Sequence, residues 1–167
     1  MKDEKLKQVF KEIVEMNKTL LQRRGGFTPT CFLIDENYNY STMIIMHFDS
    51  SDGKIAMRNK LKKFIAERKI KGYIIAMDAK MTIIDKKKEP KFEKVVDTLI
   101  HTLFAPQENI IHSAIYNKQR KFIEEFEEEN IASSDWNVWN TLPYDAELEK
   151  EYHQFKEDNP DKYKNVL

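Results

Sequence analysis

The chain has 167 residues, 41% apolar and 34% charged, and its 28 basic and 28 acidic side chains cancel to a formal charge of zero. That size and mix suit one globular domain burying about 70% of its unfolded surface, and exclude a disordered chain, which lacks the apolar residues to fold. Its longest apolar runs stay far below the roughly 18 residues that span a bilayer, and the single cysteine, Cys31, excludes an internal disulfide framework.

The charged start, Met1 to Lys5, leads straight into an amphipathic segment with no apolar leader, so a cytoplasmic protein with no membrane association is expected. Charge is unevenly placed. Residues 1–95 carry 21 basic and 13 acidic side chains, and residues 96–167 carry 7 and 15. An acidic C-terminal part folding back onto a basic face is the expected meaning, with binding of a polyanion as the rival.

Residues 2–22 place Leu6, Val9, Ile13, Met16 and Leu20 at helical spacing, with Phe10, Val14 and Leu21 widening the stripe. Gly25 and Gly26 after Arg23 and Arg24 supply the stop. Cys31, Phe32, Leu33 and Ile34 form a first strand, and residues 40–48 a partner strand after an asparagine-rich turn. Ser50, Ser51 and Asp52 offer N-caps for a basic second helix using Ile55, Met57, Leu61, Phe64 and Ile65, with Gly72 closing the turn that follows.

From Tyr73 to Ile84 the apolar residues alternate at period two, the signature of a strand, and residues 95–104 and 109–117 continue it. Phe122, Ile123 and Phe126 among glutamates then read as a helix, and residues 145–157 as a last one. The order is α-ββ-α-βββ-α plus a tail. This is an α+β domain with a mostly antiparallel five-stranded sheet flanked by helices, spanning 1–167 with its core at about 5–130. The second helix alone permits a parallel crossover.

Phe27-Thr28-Pro29, the strand Ala76-Met77-Asp78-Ala79-Lys80-Met81 and the loop Pro90-Lys91-Phe92-Glu93-Lys94 together resemble a family of small prokaryotic and phage-borne α+β proteins with no assigned activity. The resemblance covers roughly residues 5–120 and implies the same fold order. Those proteins often carry tryptophan where this chain has Lys80, and no functional residue transfers.

Candidate chemistry centres on the last hairpin. With residues 105–108 as its loop, His101 lies across from His112 and Asp97 from Tyr116 on one face, so the imidazoles could share a metal with Asp97 orienting a ring or acting as a third ligand. The bland alternative is a pair of neutral histidines half-buried among Leu99, Leu103 and Ile110. Arg23, Arg24, Arg58, Lys62 and Lys63 could track phosphates, although aromatic interleaving is absent. Trp136 and Trp139 plug a core gap or form a knob for a protein partner. Cys31 reads as a small buried residue rather than a nucleophile. The expected function is a non-enzymatic interaction domain, homo-oligomeric and without a cofactor. The alternatives are a small metal-assisted hydrolase and a weak nucleic-acid binder using the second helix.

Overall fold

A computed structural model describes residues 1–44, 51–85, 87, 92–130 and 137–139, with single positions at 150, 154, 157 and 158. Helix α1 spans Glu4–Arg24. The Asp3 side chain caps it by accepting from the Leu6 N–H, and Gly25 ends it in the left-handed conformation with its N–H donating to Leu21. Leu6, Phe10, Ile13, Val14, Asn17 and Leu21 are its buried face. The expected stripe is therefore rotated: Phe10, Val14 and Leu21 sit at its centre, and Met16 is 36% exposed.

The strands are β1 (Thr30–Asp35), β2 (Tyr40–Ile44), β3 (Ile70–Asp85), β4 (Phe92–Ala105), β5 (Glu108–Tyr116) and β6 (Phe122–Glu129), with helix α2 (Ser51–Arg68) between β2 and β3. They form one antiparallel sheet in the order β2-β1-β3-β4-β5-β6. Both β2 and β3 pair with β1, so they run the same way and α2 carries the chain across β1. Residues 45–50, the end of the expected second strand, lie outside the described residues, as do nearly all of the expected last helix and Trp136.

Two turns depart from expectation. Tyr38, not an asparagine, takes the left-handed conformation after β1, while the Asp35 carboxylate accepts from the N–H groups of Asn37 and Asn39. Lys69 makes the left-handed turn into β3. Gly72 instead lies inside that strand, where a Cβ would press on the Phe104 carbonyl at 3.2 Å and the Leu6 side chain at 3.3 Å. Its missing side chain lets α1 lie close to the sheet.

The larger correction is β6. A sequence of glutamates, strong helix formers, is drawn into a strand because β5 offers an unpaired ladder and α1 offers cations. Glu125, Glu127 and Glu129 point at α1 at period two. Glu129 bonds the Met1 ammonium at 3.0 Å and Lys7 at 3.1 Å, and Glu125 bonds Lys18 at 2.9 Å. The bond to the terminal ammonium, then that to Lys7, holds the Glu129 carboxyl below the usual range. The described part of the acidic half, β6, folds back on basic residues of α1.

Two cores result. Phe10, Ile13, Val14, Phe32, Ile74, Leu103 and Ile110 fill the α1 side, and Cys31, Leu33, Met57, Leu61, Tyr73, Ile75, Phe104 and Val138 fill the α2 side.

Candidate functional site

The hairpin register is as the sequence predicts: His101 faces His112 and Asp97 faces Tyr116. The odd residues of β4 and the even residues of β5 face α1, which lies directly over His101. The imidazole is completely buried. Asn17 of α1 reaches it, with Nδ2 at 2.9 Å from Nε2. With the amide nitrogen donating, Nε2 accepts and the ring carries its proton on Nδ1. Burial, helped by the neighbouring His112 and Lys18, pushes the His101 pKa down to about 3. It is a neutral core residue near pH 7.

His112 lies nearer the surface, its ring centroid 6.3 Å from that of His101. Its Nε2 is 3.1 Å from the Glu125 carboxylate, which also holds Lys18. Burial alone would lower the Lys18 pKa, but Glu125 and Glu15 outweigh it and raise it. Asp97 lies four residues along β4 from His101, about 13 Å at strand rise, and so orients neither ring. It stands opposite Lys80 and Tyr116, whose hydroxyl donates to Asp78 at 2.6 Å.

Among the described residues no group of three or more histidine, cysteine or acidic side chains is placed to hold a metal. A sealed imidazole reaches neither substrate nor bulk water. Zinc should accordingly leave the melting temperature of the wild type unmoved; an upward shift abolished by His101→Ala would restore the metal reading. Asn17 and Glu125 were missed from sequence. Asn17 could have been found, since a polar residue on the apolar stripe one turn after Ile13 and Val14 needs a buried partner.

The basic candidates are not brought together. Arg23 and Arg24 end α1 on one side of the sheet, and Arg58, Lys62 and Lys63 belong to α2 on the other. All three α2 cations are half-buried, and Arg58 and Lys63 have partners. Trp139 stacks on Tyr73, ring centroids 6.1 Å apart, and packs on the α2-side core as a gap plug. Cys31 is fully buried, and burial pushes its thiol pKa well up, away from nucleophilic use. A surface cleft of about 470 Å³ lies at the start of α1; in its lining Asp3 holds Lys71, and Glu108 accepts from the Lys2 backbone N–H.

What remains open is a β arm. Strand β1 pairs with β3 only as far as Ala76, and β5 with β4 only from Asp97. Residues 77–85 pair with 92–100 along one edge, and among the described residues nothing pairs with the other edge of 77–85 or with the outer edge of 92–96. Ile84 and Val95 on this arm are 49% and 62% exposed. Family models, curated proteins and solved structures give no match to this chain, so its functional reading rests on its own geometry.

Proposed function

We propose that the chain is a non-enzymatic, cytoplasmic interaction domain that works as a homodimer joined through the β3 edge of its arm. The supporting observation is where the open edges lie. The outer edge β6 presents five glutamates, a device that discourages pairing. The β3 edge of the arm carries no comparable run of like charge.

Self-complementarity favours β3 over β4. Two antiparallel copies of one edge, related by a two-fold axis normal to the sheet, pair residues of equal parity. For β4 the registers centred on Glu93, Lys94 and Val95 set Glu93 against Glu93, Lys94 against Lys94 and Glu93 against Asp97. For β3 with Thr82 on the axis, Met81 meets Ile83 and Lys80 meets Ile84, with no like charges opposed. Light scattering after gel filtration at tens of micromolar should give twice the 19.9 kDa chain mass. Thr82→Lys, which sets two lysines face to face at the axis, should give a folded monomer. A monomeric wild type, or a dimer indifferent to this change, removes the proposal.

A further inference from the structure

One end of the molecule gathers cations that, among the described residues, no carboxylate neutralises. Arg23 and Arg24 stand exposed in the last turn of α1, and Gly25 closes the helix at φ 76°. A Cβ at Gly25 would collide with the guanidinium of Arg120, so the turn between β5 and β6 is docked on the helix end. About two turns earlier on α1, Lys18 lies over the Phe122 ring at 5.1 Å and fixes the same approach. Lys118 and Lys121 flank Arg120 and are exposed.

The turn is held firmly. The Asn117 side chain accepts from the N–H groups of Gln119 and Lys121, its own N–H donates to the Lys121 carbonyl at 3.0 Å, and its carbonyl accepts from Arg120 at 2.9 Å. Arg120 closes it in the left-handed conformation, φ 61°, a place glycine or asparagine fills at lower cost. An arginine thus stands where local conformation argues against one.

Among the described residues none of Arg23, Arg24, Lys118, Arg120 and Lys121 has a carboxylate within 4.0 Å. Lys7, Lys18, Lys71 and the Met1 ammonium on the same side of the sheet are all paired. Arg23 and Arg24 complement the helix dipole, but Lys118 and Lys121 belong to a hairpin turn and have no such role.

We propose that this end binds the phosphate backbone of a nucleic acid. The Arg forks grip phosphate oxygens in pairs while the lysines act as point charges. Neither described cleft is lined by these five residues, so they do not converge on a small anion; they spread over a surface, as a linear polyanion requires. Among the exposed large apolar side chains, only Ile123 adjoins the turn in sequence, too little to anchor the patch in a bilayer. Recognition is of the backbone and is indifferent to base sequence.

The test is fluorescence anisotropy of a labelled 20-nucleotide single-stranded DNA of mixed sequence with the full chain. If all five cations engage phosphate, raising salt from 50 to 200 mM should weaken binding by about 100-fold, from a log–log slope of about −3.5. Lys118→Glu with Lys121→Glu, and separately Arg23→Glu with Arg24→Glu, should each weaken binding at least tenfold at unchanged melting temperature. Lys62→Glu on α2 should change it less than twofold. No binding at 50 mM salt, insensitivity to both charge-reversed pairs, or an equal loss with Lys62→Glu overturns the proposal. So does binding to vesicles containing phosphatidylserine that depends on these pairs while the oligonucleotide is ignored.

Discussion

Replacing Tyr73 by alanine should cost about 3–5 kcal/mol, the usual range for emptying a buried aromatic site. The ring sits on the central strand β3 with no exposure. Leu33 of β1 and Phe104 of β4 face it across the ladders, with the Phe104 ring centroid at 5.2 Å. Trp139 covers it from above, and the Val138 N–H donates to its hydroxyl at 2.9 Å. Burial raises the hydroxyl pKa, so it stays a neutral acceptor through the physiological range. One side chain thus ties three strands to the segment 137–139. Tyr73→Phe keeps the ring and removes the hydroxyl that accepts from Val138, so it should cost about 1–2 kcal/mol. Urea denaturation of both variants measures this. Equal losses would mean that the hydrogen bond, not the ring, anchors the segment; a loss under 1 kcal/mol for alanine would mean that the site collapses without a cavity.

How much of this was legible depends on whether the cause was local. The register of the β4–β5 hairpin was readable because Pro106 and Gln107 close it in two residues, with Gln107 left-handed, and a short closed turn leaves strands no freedom to slip. The glycine stop of α1 was readable for the same reason, since Gly25 acts within one turn; the equally local Asp3 cap was not read. Strand β6 was not, because what makes a strand of glutamates worthwhile is Lys7, Lys18 and the amino terminus, more than a hundred residues away. A Glu-x-Glu-x-Glu alternation at 125–129 was the only local hint. The alternation of 73–84 announced a long strand, but not that β1 and β5 stop short of its end and leave an arm. Likewise the sequence shows Arg23, Arg24, Lys118, Arg120 and Lys121 as two unrelated pieces. Only the seating of Arg120 against Gly25 makes them neighbours. The histidine pair teaches the converse lesson: its geometry was foreseen and its burial was not, because the lid is α1, and face-sharing along a hairpin says nothing about what lies on that face.

Lowering the pH from 7 to 5 should remove about 2 kcal/mol of stability through His101 alone. In the unfolded chain its imidazole takes up a proton near pH 6.5. In the folded protein burial under α1 holds protonation off until about pH 3. Between those values the unfolded state binds the extra proton, so stability falls as pH falls, by at most about 1.4 kcal/mol per unit, and is insensitive to this group above pH 7. The pairing with Asn17 sets what replacement should do. His101→Ala leaves the amide buried beside a hole and should cost about 2–4 kcal/mol at pH 7. Converting both partners, Asn17→Leu with His101→Leu, removes the polar pair together and should recover much of that loss. Either variant should shed the His101 component of the acid response. The measurement is urea unfolding of wild type and double variant at pH 7, 6 and 5. If the two lose stability in parallel over that range, His101 titrates normally in the folded protein, and the sealed, neutral imidazole inferred from its burial is wrong.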